Sequence, residues 1–188
     1  RLRGRVVDLP DDPVVGATVA LAGKGAAPGA DETGQSQQAT TDEHGEFSFT
    51  TVPPGDYVLD AAAQGFVSPG PAAVRGLAVT LGAGGTVDGL RLVLRRPGTL
   101  QGRVVAGGAP VAGAVIGLSY LHAEGIGGPL DAFLLADVAR TAQDGTFVVQ
   151  GAAPGRLRVV AQAPGYALAE TRDLGLDEGG RRDGLVLD

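Results

Sequence analysis

Two histidines, His44 and His122, and a scatter of paired acids are the residues with which this chain could do chemistry. A zinc-peptidase centre needs clustered His and Glu ligands with a general base beside them. Here the histidines fall in different halves of the chain, and His44 sits in Asp42-Glu43-His44-Gly45, which reads as an exposed turn. Serine occurs as Ser36, Ser48, Ser68 and Ser119, none of them within the Gly-x-Ser-x-Gly of a nucleophile elbow. Cysteine is absent, which removes thiolate nucleophiles, Cys-type zinc sites and disulfides together. Asp11-Asp12, Asp31-Glu32 and Asp42-Glu43 place oxygen ligands of the kind Ca²⁺ prefers in loops of one half. They lack EF-hand or repeated Asp-x-Asp spacing, and solvated turn carboxylates account for them better. Neither Gly-rich stretch, 23–34 or 82–85, follows a strand and then opens a helix with G-x-G-x-x-G or G-K-[ST], so both read as loops rather than phosphate cradles. No catalytic, cofactor or metal site is assigned, and the chain is expected not to be an enzyme.

Charge narrows the field further. The net charge is −6, and arginines gather only as Arg1, Arg3 and Arg5, as Arg95 and Arg96, and as Arg181 and Arg182. Nucleic-acid binding rests on clustered cations that displace phosphate counterions, so no nucleic-acid partner is expected. No run of 18 apolar residues exists, hence no transmembrane segment in this chain. Without Met or a leader pattern, the chain reads as an excised piece or mature segment whose targeting information lies elsewhere.

The elements that must position these residues come in duplicate. TTDEHGEFSFTTVPPGDYVLDAAAQGF, residues 40–66, returns as RTAQDGTFVVQGAAPGRLRVVAQAPGY, residues 140–166. The offset is 98 from Gly4 to Gly102, 97 from Gly16 to Gly113, and 100 from both Gly45 to Gly145 and Gly65 to Gly165. A period near a hundred residues is too long for a solenoid, whose repeats run about 20 to 50. Two complete domains are expected, residues 1–95 and 99–188, joined by Arg96-Pro97-Gly98. Hydrophobic residues make up 44% but aromatics only 4%, so the cores must be built from Val, Leu and Ala.

Within each copy the apolar period is two, the mark of strands with one buried face. Residues 2–8 and 100–106 open the copies, each with a Gly that signals a bulge or a close backbone approach. Ala17, Val19 and Leu21 match Ala114, Ile116 and Leu118. Gly45 and Gly145 supply a positive φ for a tight turn, beside a carboxylate at Asp144 able to accept local N–H groups. Phe47 and Phe49, then Tyr57, Leu59 and Ala61 across a Pro53-Pro54-Gly55 turn, point inward; Phe147, Val149, Leu157, Val159 and Ala161 repeat the scheme. Residues 40–66 and 140–166 are accordingly each expected to form a hairpin in the middle of a sandwich. Leu90, Leu92 and Leu94, and Leu185 and Leu187, mark the closing strands.

Gly4-Arg5-Val6, Pro13-Val14-Val15-Gly16-Ala17-Thr18-Val19, Thr41-Asp42 through Phe47, Pro53-Pro54-Gly55-Asp56-Tyr57 and Gly65-Phe66 together resemble the motif series of the carboxypeptidase regulatory-like domain. The second copy matches more loosely, with Ala142 and Gln143 in place of Thr-Asp and Arg156-Leu157 in place of x-Tyr. The resemblance implies an all-β chain of two tandem transthyretin-like Greek-key β-sandwiches within the carbohydrate-binding-like fold. It also implies an accessory module of a secreted or envelope-exposed protein, and so an extracytoplasmic location: periplasmic, cell-surface or secreted. The Lys–Asn isopeptide bond of the pilin-like branch is unavailable in its usual form, because the chain has no Asn.

One insertion departs from the duplication. Residues 119–139, SYLHAEGIGGPLDAFLLADVA, are apolar where the first copy is polar and Gly-rich. Leu130, Phe133, Leu134 and Val138 fit a short helical stripe, and the end reads equally well as a strand. The segment either caps its own sandwich or packs at the junction, which is favoured, or it forms a partner or ligand surface carried by Tyr120, His122, Phe133 and Leu134. The expected function is a non-catalytic structural or interaction module, a spacer or assembly piece of a larger extracytoplasmic or cell-surface protein. Its partners would be another protein or neighbouring domains of the same polypeptide; the alternative is a glycan-binding accessory domain.

Overall fold

The computed structural model describes residues 1–23, 37–68, 76–120 and 133–188. Packing divides the chain into two compact units, with the division after Arg95. Among the described residues every regular element is a strand.

The first unit contains β1 (Leu2–Val7), β2 (Thr18–Gly23), β3 (Gln37–Thr40), β4 (Glu46–Phe49), β5 (Gly55–Ala62), β6 (Leu77–Leu81) and β7 (Val87–Val93). One sheet has the order β4-β1-β7 and the other β3-β2-β5-β6. Only β2–β3 and β5–β6 pair neighbours in sequence; the remaining pairings are Greek-key crossovers, and β1–β7 is parallel. Alternation sets the buried faces: Val19 and Leu21, Phe47 and Phe49, and Tyr57, Leu59 and Ala61 all enter one core with Leu2, Val6, Leu92 and Leu94. The two phenylalanines meet edge to face, centroids 6.1 Å apart.

The second unit repeats the plan with β8 (Gly98–Ala106), β9 (Ala109–Pro110), β10 (Val115–Tyr120), β11 (Phe133–Arg140), β12 (Thr146–Ala152), β13 (Gly155–Gln162), β14 (Ala169–Glu170), β15 (Leu174–Leu176) and β16 (Arg181–Leu187). Its sheets are β12-β8-β16, with β9 against β8, and β11-β10-β13, with β14 and β15 against β13. Leu100, Ile116, Leu118, Phe147, Val149, Leu157, Val159 and Leu187 are buried. Of the two readings for the end of the apolar insertion, the strand is the one found, since β11 pairs antiparallel with β10.

The expected hairpins are not hairpins. β4 and β5 lie in opposite sheets, as do β12 and β13, so each Pro-Gly turn carries the chain over the end of the sandwich. The same holds for the Asp-Gly turns, which join β3 to β4 and β11 to β12 across the sheets. A period of two shows which side of a strand is buried, and two strands facing each other across a core share that period with two strands lying side by side.

Gly4 and Gly102 are sites of close approach. A Cβ on Gly102 would stand 2.5 Å from the Leu185 carbonyl oxygen and 2.7 Å from the Phe147 ring, and one on Gly4 would meet the Leu90 carbonyl and the Phe47 ring. The parallel neighbour and the aromatic therefore close over bare backbone. Gly102→Val should destabilise the second unit by about 2 kcal/mol through overpacking, leaving the first unit's transition in place; urea unfolding followed by unit-specific amide resonances measures both.

Candidate functional site

Each unit carries a buried threonine where three stretches of chain converge. The Thr41 hydroxyl donates to the Val14 carbonyl at 2.7 Å and accepts from the Ala17 N–H at 2.8 Å. The Thr141 hydroxyl donates to Val111 at 2.7 Å and accepts from Ala114 at 2.8 Å. Backbone bonds reinforce the tie, with Thr41 N–H donating to Ala17 and Thr141 N–H to Ala114. The following glycine carbonyl then accepts from the first strand, Gly45 from Val6 at 2.8 Å and Gly145 from Val104 at 2.9 Å. A Cβ at Gly45 or Gly145 would run into those same valine carbonyls, and φ is +73° and +76°, so glycine is required twice over. The second copy thus keeps the motif threonine as Thr141; the alignment that put Ala142 and Gln143 in place of Thr-Asp was one residue out, and only the Asp is lost.

Of the acids offered as cation ligands, Asp42 and Asp11 are engaged by the chain itself. The Asp42 carboxylate accepts from the N–H groups of His44 and Glu46, each at 2.9 Å. Those of Glu46 first and His44 next hold its carboxyl below the ordinary 3.8. Asp144 accepts from the Thr146 hydroxyl at 2.7 Å and the Thr146 N–H at 3.0 Å, and the hydroxyl leads in lowering its pKa. Asp11 takes two bonds from Arg91. Asp31 and Glu32 lie outside the described residues. Among the described residues no three His, Asp or Glu side chains come together as a metal site.

Tyr120, which the ligand-surface alternative named, is 8% exposed and belongs to the core. Its hydroxyl accepts from the Ala153 N–H at 2.9 Å, which anchors the Pro-Gly turn of the second unit. In the first unit Tyr57 does the equivalent work, donating to the Pro53 carbonyl at 2.9 Å. Leu157 stands at the Tyr57 position and pairs across the sheet with Tyr120, so the anchoring ring has moved to the neighbouring strand. That substitution is the correction for Tyr120, and its signal was the loss of Tyr from the Pro-Gly-x-Tyr motif. Phe133 and Leu134 lie on β11, paired with Tyr120 and Ser119. Their side chains, and His122 altogether, lie outside the described residues.

Sequence reasoning passed over the one cleft described. About 220 Å³ opens at one end of the second unit, lined by Val104, Val111, Ala114 and Ala161, with Tyr166 and Leu168 at the mouth. Tyr166 is 56% and Leu168 60% exposed. Asp188 also borders it and accepts from the Gly107 N–H at 3.2 Å. The lining is apolar, with an amide and a carboxylate at the edge, Gln162 and Asp188.

A family model described as the carboxypeptidase regulatory-like domain matches residues 1–94 and again 99–185. The chain belongs to the carboxypeptidase regulatory-like family. Comparison with curated proteins returns no match. Among solved structures, this carboxypeptidase regulatory-like chain is similar to the minor pilin of Streptococcus agalactiae at 16% identity and a TM-score of 0.44, covering 100% of this chain and 95% of that one. It is similar to a streptococcal ancillary pilin at 14% identity and a TM-score of 0.42, covering 98% of this chain and 62% of that one. The Bacillus anthracis TIE protein aligns at 16% identity and a TM-score of 0.41, over 98% of this chain and 32% of that one. The chain therefore spans about a third of the TIE protein and under two thirds of the ancillary pilin.

The Thr-centred tie and its neighbouring carboxylates make two expectations. Thr141→Val strands a buried N–H and a buried carbonyl and should cost the second unit about 3 kcal/mol, read by urea denaturation. Asp42 and Asp144 have folded pKa values below the unfolded one, so their contribution is present above pH 3.8 and is lost as pH falls through the folded values. Asp144→Asn should therefore flatten the acid limb of the second unit's stability profile, measured as its midpoint against pH.

Proposed function

We propose that the chain is a non-catalytic structural and interaction module, a spacer or assembly piece of a larger extracytoplasmic or cell-surface protein. The observation that carries this reading is where the polar side chains go. The described side-chain hydrogen bonds of Thr41, Thr141, Asp42, Asp144, Tyr57 and Tyr120 go to turns of their own unit. A catalytic group has to keep a lone pair or proton directed at a substrate, and these direct theirs at the backbone. Family membership agrees, since such domains serve as accessory modules on surface and secreted proteins. The alternative, glycan binding, normally uses a platform of exposed rings. Phe47, Phe49, Tyr57, Tyr120 and Phe147 are buried, and among the described aromatics Tyr166 alone is exposed.

A spacer built of modules requires each sandwich to stand by itself. Residues 1–95 and 99–188, produced separately, are each expected to melt in one cooperative transition with dispersed amide resonances. Two fragments that remain unfolded, while the full chain folds, would contradict the modular reading. A glycan array that returns specific binding would favour the accessory-domain alternative.

A further inference from the structure

A sandwich leaves the outermost strand of each sheet with unpaired backbone N–H and carbonyl groups, and proteins guard such edges by shortening, bulging or charging them. Among the described residues, the outer strands of the second unit all carry a device of this kind. β11 breaks register against β10 between Ile116 and Leu118, where Asp137 holds a φ of +60°. β12 breaks against β8 between Gln150 and Ala152, and β16 between Arg182 and Leu185. The remaining edge is split into β14, of two residues, and β15, of three, and Asp173 between them is ion-paired with Arg156 and Arg158.

The first unit guards three of its edges and leaves one. β7 breaks register against β1 between Leu2 and Gly4, and β3 and β4 stop after four residues each. β6 pairs with β5 through five consecutive residues, Leu77 to Leu81, without a break. It ends its sheet, and among the described residues no further strand pairs with it. From Gly76 to Val87 the sequence holds no charged residue and no proline, in a chain whose net charge is −6.

The same five residues match a reversed copy of themselves. Turned about a two-fold axis through Val79 and normal to the sheet, β6 of a second copy sets Val79 beside Val79, Leu77 beside Leu81 and Ala78 beside Thr80. The faces agree in this register: Val79 and Leu81 are buried and Leu77 half-buried on the core side, while Ala78 and Thr80 are exposed on the other. A slip of one residue would set inward side chains against outward ones, so the alternation selects the register. An axis normal to the sheet keeps both inner faces on one side, and the aliphatic row of one core runs on into the other. Asp56, the acid beside Thr80, accepts from the Thr80 hydroxyl and stands one strand back from the edge.

We propose that β6 is a self-association edge, pairing antiparallel with β6 of a second copy of this chain to join two four-stranded sheets into one of eight. This rests on the reading of the chain as an interaction module and names its partner. Backbone hydrogen bonds supply the attraction, and the uncharged edge lets two acidic molecules meet without like charges opposed. Five paired residues from each copy make an interface below the about 1,200 Å² at which stable complexes begin, so the association is weak and is read at high concentration.

Sedimentation equilibrium of the 188-residue protein up to millimolar concentration is expected to show a reversible monomer–dimer equilibrium, with concentration-dependent amide shifts centred on Leu77 to Leu81. Ala78→Lys combined with Thr80→Lys opposes like charges twice across the axis and should weaken the dimer about tenfold. Ala78→Glu combined with Thr80→Lys opposes unlike charges at the same places and should leave the dimer at least as strong as in the unaltered protein. Both positions are exposed, so each variant should keep the native amide spectrum outside β6, which separates lost pairing from lost folding. The proposal is overturned if the unaltered protein stays monomeric at millimolar concentration, if it dimerises with no shifts in β6, or if the two charge variants, both folded, associate equally. Should the edge fail in this way while residues 1–95 and 99–188 still fold separately, the modular reading stands without it.

Discussion

A threonine hydroxyl with both its donor and its acceptor capacity spent on buried backbone holds each sandwich together at the point where the chain changes sheets. Between β3 and β4, and between β11 and β12, the polypeptide leaves one ladder before joining the other, and a corner of this kind cannot draw on sheet pairing for its hydrogen bonds. Thr41 and Thr141 supply them, tying the corner to the turn that precedes β2 or β10. The glycine four residues on ties it to the first strand by accepting from a valine N–H, and a side chain there would strike that valine's carbonyl. Sheet order, and the burial of Phe47 or Phe147 against the close-packed glycine of β1 or β8, depend on that corner being held in one place.

The duplication shows which of these features are obligatory. Threonine and glycine recur at the tie, while the residues around it change without altering the outcome. The corner's carboxylate comes from Asp42 in one unit and from Asp144, two positions further along the shared frame, in the other. The Pro-Gly turn is anchored by a phenol in both, from β5 in the first unit and β10 in the second, and the phenol donates to a carbonyl in one case and accepts from an N–H in the other. What is preserved is the requirement that a buried backbone group find a partner; several side chains can meet it.

Much of this was legible in the linear chain. The copies, the inward residues of nearly every strand, the close-approach role of Gly4 and Gly102 and the turn role of Gly45 and Gly145 all follow from spacing. The errors share one cause. Residues 40–66 read as a hairpin because consecutive alternating runs about a short turn look the same whether the strands pair or face each other. For Tyr120, beside an apolar insertion, core cap and ligand surface both stayed open, and only its reach to Ala153 reveals a core anchor. The cleft of the second unit gave no signal at all, because its walls come from segments far apart in the chain.

By itself, then, the amino-acid order determined that there are two all-β bodies, which positions turn inward and where glycine has to stand. These are properties of single strands and single turns, settled by a period of two and by the steric limits of φ. Sheet membership, the sharing of Thr41 and Thr141 among distant stretches, the exchange of Tyr57 for Tyr120 and the opening beside Val104 were decided only in three dimensions. Each of those depends on which segments, remote along the chain, come to lie against one another once the core has closed.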